Sequence, residues 1–424
     1  MMTVATTQQH NVPALRFPEF SGEWEGVTIS ELSEKITSGS RDWAQFYALK
    51  GDKFIRMTNL QRGEAVDLDL SDLKFVSLPV SGHEGARTSI HADDILISIT
   101  AELGKIGIVP DGIGDSYINQ HTALVRPTVS KAHPRFLAQN LARNSNTKKF
   151  NRLNDAGAKA GLNLGTISNF LVHAPTLPEQ QKIAAFLSSV DRKIEQLTCK
   201  KSLLEQYKKG MMQKLFSQQL RFKDSEGNDF PDWEEKRLGE LGETFGGLTG
   251  KTKESFGVGE PYIQYMQIFS GSKIDITGCG FVEIENGEKQ NRVQYGDVFF
   301  TTSSETPMEI GTASALLDNV EEMYLNSFCF GYRPDLNLAN PNYLQFAFRE
   351  PIFRKKIVRL AQGSTRFNMS KVALMKISVE LPSLLEQKII ADFLSAIDQK
   401  IDLIATEFTH AKTFKKGLLQ QMFI

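Results

Sequence analysis

Three short fragments of this chain carry residue types that could do chemistry. Asn340-Pro341-Asn342-Tyr343 looks like the Asn-Pro-Pro-Tyr site of adenine methyltransferases, yet no Gly-rich cofactor loop precedes it. A helix cap followed by Pro at the first helical position explains the same residues. Gly246-Gly247-Leu248-Thr249-Gly250-Lys251-Thr252 approaches a phosphate-binding loop. That loop needs four residues between its first Gly and its Gly-Lys, and counting back from Gly250 puts Phe245 in the first place. Glu234-Glu235-Lys236 has the Glu-x-Lys spacing of nucleases. The seven histidines show no HExxH or paired-ligand spacing. Cys199, Cys279 and Cys329 are scattered, which argues against a disulfide scaffold or a zinc site and suits a reducing cytosol. No catalytic residue and no metal ligand is expected.

The elements that carry these fragments come in two copies. Trp24 to Glu34 recurs as Trp233 to Glu243. Tyr117-Ile118-Asn119-Gln120, leading to Arg126-Pro127, recurs 207 residues later as Tyr324-Leu325-Asn326-Ser327, leading to Arg333-Pro334. Lys148, Lys149, Arg152 and Leu153 match Lys355, Lys356, Arg359 and Leu360. The phrase from Glu179 to Ser188 recurs from Glu386 to Ser395, and the register holds to Phe216 and Phe423. Matched identities in four blocks indicate internal duplication. The duplication also tests the fragments. His133-Pro134-Arg135-Phe136 stands where Asn340 to Tyr343 stands in the other copy, and Glu25-Gly26-Val27 stands for Glu234 to Lys236. The cap followed by Pro explains both copies of the first fragment, and the Lys of Glu-x-Lys has no counterpart, so a methylation site is not expected and a nuclease site is rejected.

Length and charge set the frame. A chain of 424 residues is long enough for two or three domains. The net charge is −1, whereas a sequence-blind DNA binder is usually strongly basic. Any DNA contact must therefore use local positive charge, or partners must supply some of it. No apolar run reaches membrane-spanning or signal-peptide length, so no membrane is expected and a cytoplasmic location is.

Each half opens with a short apolar-alternating stretch, at residues 27–29 and 238–241, then a Gly-bearing loop at 37–41 and 245–251. Strands are expected over 53–57, 94–100 and 122–125, with counterparts at 262–268, 297–301 and 328–332. Each half then ends in a long helix. Steps of four and three from Ile183 pass through Leu187, Val190, Ile194, Leu197 and Leu204; from Ile390 they pass through Leu394, Ile397, Ile401, Ile404 and Phe408. Eight of ten positions in the first series and nine of ten in the second are apolar, which is a coiled-coil seam. A helix of this length spans roughly 58 Å. The alternative is that each helix packs only on its own globular domain. The fold class expected is α+β (mixed α/β): two globular domains joined by two long helices in an antiparallel coiled coil, with a pseudo-twofold internal repeat. The boundaries are 1–176 and 219–380 for the domains, 177–218 and 381–424 for the spacer helices.

Two α/β domains, each followed by a copy of this helix, resemble the specificity subunits of type I restriction–modification systems. Leu177-Pro178-Glu179-Gln180-Gln181-Lys182-Ile183, with Asp191-Arg192-Lys193-Ile194 downstream, carries the resemblance. The second copy runs from Leu381 to Ile390 and reads as inserting Ser383-Leu384-Leu385 before Glu386. The resemblance implies a non-catalytic subunit with two target-recognition domains, each reading half of a bipartite target in double-stranded DNA. It implies two modification subunits, which carry S-adenosylmethionine and methylate adenine at N6. It implies two restriction subunits for cleavage driven by ATP and Mg, and no cofactor held by this chain. A coiled-coil assembly scaffold without sequence-specific DNA binding is the alternative.

Base reading needs Arg, Lys, Asn, Gln, Ser or Thr on loops that reach a groove, with Lys and Arg nearby for phosphates. In the first domain the candidate DNA contacts are Ser38, Ser40, Arg41, Arg56, Lys105, Lys148, Lys149, Arg152, Lys159 and Asn163. In the second they are Thr249, Lys251, Lys253, Gln264, Tyr265, Ser303, Ser304, Glu305, Thr306, Lys355, Lys356, Arg359, Arg366 and Asn368. The loop 363–368 matches 157–163. For any one of these residues, a solvated surface position is the plain alternative.

Overall fold

The computed structural model describes residues 11–79, 85, 87–154, 161–363 and 365–424. The chain forms two compact units: Met1–Thr198 with Thr406–Ile424, and Cys199–Ala405.

The first unit is built on a four-stranded antiparallel sheet in the order Ser33–Ser38, Thr122–Pro127, Ile95–Ser98, Ile106–Ile108. The strand Ile-Leu-Ile-Ser is apolar at successive residues because both of its faces are covered. A second sheet runs Tyr47–Ala48, Lys74–Val76, Asp52–Ile55, Ser116–Ile118. Helices Pro134–Ala142 and Asn144–Arg152 follow, and Glu25–Thr28 pairs with Leu171–Ala174.

The second unit repeats this plan. Its main sheet runs Gly242–Gly246, Cys329–Pro334, Val298–Thr301, Ala313–Ala315. Its second sheet joins Gly280–Val282, Phe256–Ile263 and Tyr324–Leu325. Helices Pro341–Ala347 and Pro351–Val358 follow, and Glu234–Arg237 pairs with Ser378–Leu381. A buried carboxylate held by a half-buried arginine braces the main sheet in both units: Arg126 grips Asp94 with two bonds of 2.7 Å, and Arg333 grips Asp297 with two of 2.8 Å.

Three expectations need correction. Residues 262–268 are not one strand: the strand ends at Ile263 and Tyr265–Ser270 is helical. The Gln267 side chain accepts the Gln264 N–H at 3.0 Å, a reciprocal cap that starts a helix where apolar content suggested extension. Residues 238–241 form a helical turn, started in the same way by Glu240 on the Arg237 N–H at 2.8 Å. There is also no insertion before Glu386. Gln180 donates to the Pro175 carbonyl at 2.9 Å and Gln387 to that of Pro382 at 2.8 Å, so Pro382 answers to Pro175 rather than to Pro178.

The long helices are Leu177–Phe216 and Leu384–Gln421. In the first unit Ile183, Leu187 and Val190 pack against Leu418, Leu419, Met422 and Phe423, and also against Trp24 and Phe136 of the domain. In the second unit Leu215 and Phe216 share a core with Ile390, Leu394, Ile397 and the domain. The start of each helix thus lies beside the end of the other, which is antiparallel, and both packing modes operate together. Every seam position is buried or half-buried: Leu197 and Ile404 are buried, while Ile194, Leu204, Ile401 and Phe408 are half-buried. Lys415 pairs with Asp191 and Lys208 with Asp398, each at 2.6 Å, as equivalent cross-helix bridges.

Candidate nucleic-acid interface

The described candidate residues fall into three groups: those that line clefts, those tied within the fold, and exposed basic residues. One group lines equivalent clefts at the ends of the two main sheets. In the first unit, Ser38 and Arg41 line a cleft of about 630 Å³ with Arg87, Thr100, Gln120 and His121. In the second, Tyr265, Ser303, Ser304, Glu305 and Arg366 line one of about 360 Å³ with Met266, Phe269, Glu309 and Phe328. Ser40 is bridged to Asn119 beside the first cleft. Asn368 is in the strand paired with Ser303–Ser304 beside the second.

Local chemistry explains the shape of these clefts. Tyr265 donates its hydroxyl to the Ser303 carbonyl at 2.9 Å, and burial raises its pKa. Ser304 donates to Glu309 at 2.9 Å and accepts the Thr306 N–H at 3.2 Å, which orders the turn carrying Glu305. Ser303 Oγ is buried without a hydrogen-bond partner, and Arg366 stands exposed at the rim.

A second group is engaged in holding the fold. Arg56 donates to the Asp72 carbonyl and carboxylate at 3.2 and 3.1 Å. Lys105 pairs with Glu102 at 2.5 Å; Arg62 first and Lys105 second lower the Glu102 pKa to about 2. Lys251 is paired with Glu288, and Thr249 donates its N–H to Gln290 at 3.1 Å. Gln264 caps a helix, and Asn163 caps another by accepting the Thr166 N–H at 2.8 Å. The Lys356 ammonium donates to the Ser378 carbonyl at 2.7 Å. Lys148, Lys149, Arg152, Lys253, Lys355 and Arg359 are exposed. Lys159 lies outside the described residues, as does part of the loop 157–163.

Arg87, Thr100, Gln120, His121, Met266, Phe269, Glu309 and Phe328 were not among the candidates. The recurrence of Asn119-Gln120 as Asn326-Ser327 was the signal available for the turn that carries two of them. Also unforeseen was the role of the repeated Glu-Gln. Glu179 is buried and takes two bonds from Arg16 at 2.7 and 2.8 Å. Glu386 is buried and takes Arg221 at 2.8 and 3.1 Å with the Trp233 indole N–H at 3.1 Å. Gln180 and Gln387 accept the N–H of His133 at 2.9 Å and of Asn340 at 2.8 Å. The phrase locks each helix start to its domain. Asn340 accepts the Asn342 N–H at 2.9 Å and Tyr343 is fully buried, so this fragment is a helix cap. Among the described residues no group of three or more His, Cys, Asp or Glu could hold a metal ion, and no helix is long and apolar enough to cross a membrane.

The family model for the type I restriction modification DNA specificity domain matches this chain twice, over residues 21–206 and 231–410. The chain belongs to that family. As a specificity chain it is 26% identical over 432 residues to a protein of Methanocaldococcus jannaschii provisionally named the MjaX type I restriction enzyme specificity subunit, covering 97% of this chain and 95% of that protein. It is 29% identical over 142 residues to the StySPI specificity subunit of Salmonella potsdam, covering 34% and 30%. The crystal structure of a type I S subunit from M. genitalium superposes with a TM-score of 0.60 at 17% identity, covering 97% and 99%. A chain from a type I restriction–modification system studied for its complex assembly superposes at 0.55 with 18% identity, covering 94% and 97%. These two likenesses extend the shared fold over the whole specificity chain.

Proposed function

We propose that this specificity chain reads a bipartite site in double-stranded DNA, one half-site per domain, and carries no reaction itself. The observation that supports this most directly is the pair of clefts: a corresponding strand end and turn, at Thr100 and His121 in one and Ser303 and Phe328 in the other, take part in both, and unlike side chains complete each lining. A duplicated scaffold with unlike linings suits two different DNA words. In this reading two modification subunits supply S-adenosylmethionine and methylate adenine N6. Two restriction subunits supply cleavage with ATP and Mg, and the complex works in the cytoplasm. The long helices hold the two readers at a set spacing, where a flexible linker would let it vary. The exposed Lys148, Lys149, Arg152, Lys355 and Arg359 position phosphates. With a net charge of −1, the lone chain binds DNA weakly and the partners add affinity.

The test is to co-express the chain with its modification subunit in a host lacking methylation and map N6-methyladenine across the genome. One split motif supports the reading. An assembled complex with an active modification subunit and no motif overturns it and leaves the scaffold role.

A further inference from the structure

The motif Tyr-(Ile/Leu)-Asn-(Gln/Ser), which recurs in both halves, builds one turn twice. In the first domain the Asn119 side chain accepts the His121 N–H at 3.1 Å, and the Asn119 carbonyl accepts the Thr122 N–H at 3.1 Å. In the second, the Asn326 side chain accepts the Phe328 N–H at 2.8 Å, and its carbonyl accepts the Cys329 N–H at 3.1 Å. The carbonyl of the residue so presented is also pinned, His121 by Ile99 N–H at 3.0 Å and Phe328 by Thr302 N–H at 3.1 Å. A glycine lies against each turn. A Cβ on Gly39 would stand 2.0 Å from the Asn119 carbonyl oxygen, and one on Gly247 would stand 2.1 Å from that of Asn326. The backbone is therefore held in the same way in both copies, and the side chain at its tip is what differs.

The difference is chemical. His121 lies in the first cleft, where its Nδ1 meets the Thr100 hydroxyl at 2.8 Å and its Nε2 meets the Gln120 amide nitrogen at 3.2 Å. The amide nitrogen can only donate, so Nε2 accepts and Nδ1–H donates to Thr100. This cluster still has the Thr100 hydroxyl proton and a second Gln120 N–H to offer. Phe328 lines the second cleft with 63% of its surface exposed, beside Met266 at 64%. A large apolar ring carried on a pinned backbone, exposed to water in one cleft with an exposed Arg366, has the shape of a contact awaiting an apolar, electronegatively flanked partner. A thymine methyl group in the major groove, set between phosphates, is that partner.

We propose that His121 and Phe328 are equivalent base-reading positions: His121 with Gln120 and Thr100 reads a base edge by hydrogen bonds, and Phe328 with Met266 reads a thymine by its methyl group. The inference rests on the DNA-reading function proposed above and adds which side chain reads in each half, and how. It makes the first half-site depend on polar contacts and the second on an apolar one.

The experiment uses the full complex with its modification subunit. Methylation motifs are mapped for the wild type, His121→Ala and Phe328→Ala, with His121→Gln and Phe328→Leu made in parallel so that a variant that fails to assemble does not end the test. The expected result is that His121 variants make one base pair degenerate in one half of the split motif only, and Phe328 variants make one base pair degenerate in the other half only. Binding of the wild-type complex to a duplex with uracil for the thymine read by Phe328 should weaken about fourfold, the effect of one methyl group, and Phe328→Ala should bind both duplexes alike. Uniform loss across all positions, relaxation in the wrong half, or no thymine in the second half-site sensitive to its methyl group overturns the proposal while the split motif stands. A wild-type complex with no motif at all overturns the underlying reading instead.

Discussion

Glu386 has no exposed surface, and its carboxylate collects the Arg221 guanidinium and the Trp233 indole N–H. Removing one partner of a buried, hydrogen-bonded pair leaves the other without compensation. Glu386→Gln should therefore lower unfolding stability by about 3 kcal/mol, read by urea denaturation, and Glu179→Gln should act likewise through Arg16. The Glu-Gln phrase was plain in the sequence as a repeat, but its role was not. Arg16 lies 163 residues from Glu179, and nothing in local spacing reports a pair that only the fold brings together. The cysteines make a second residue-scale test. Burial pushes the Cys329 thiol up to about 12, while Cys199 is exposed. A maleimide should label Cys199 in the native protein and reach Cys329 only on unfolding, because the thiolate is the reactive form. Rapid native labelling of Cys329 would contradict this burial.

At the scale of elements, periodicity was the strongest guide. The heptad positions all proved buried or half-buried because a seam is a one-dimensional pattern that a sequence displays directly. Leu394 is fully buried in the second core, and Leu394→Ala should cost about 3 kcal/mol in thermal unfolding; the exposed Leu403 should cost far less. Short elements were less legible. Caps by Gln267 and Glu240 override apolar content at 265–270 and 238–241, and such reciprocal bonds leave little trace in composition. The candidate basic residues divided for a related reason. Lys251 and Lys356 make ties within the domain, and charge alone does not tell an internal tie from an exposed contact. The Lys251 tie has a pH signature. Lys251 and then Gln290 hold the Glu288 pKa down at about 2. Its stabilising effect is full above the ordinary carboxylate value of 4.5 and is lost as the pH falls toward 2. Amide protection factors in the 249–251 loop, taken relative to the intrinsic exchange rate at each pH, should fall across that window, and Glu288→Gln should make them independent of pH there.

At the scale of the whole molecule, the duplication was legible because identities recur at a fixed offset over long stretches. The linings of the two clefts were legible only in part, since the residues that converge come from strands and turns far apart in sequence. The repeat makes a prediction at its own scale. Replacing residues 25–174 with the corresponding segment of another family member should change one half of the methylated motif and leave the other half as it was. A change in both halves would mean that the two domains do not read independently.

Phe423 stacks on Phe136 at 5.2 Å between ring centroids and meets Trp24 edge-on at 6.1 Å, so the first compact unit is completed by residues 406–424. On the ribosome this order matters. At common elongation rates the 207 residues between Thr198 and Thr406 take roughly 10–40 s to emerge. During that interval Trp24, Phe136, Ile183 and Leu187 have no cover from the last helix. The first half of the nascent chain must wait, with an apolar face open, for a segment made much later. Chains stalled before residue 406 should recruit chaperones and resist proteases poorly, and release of the full length should end both.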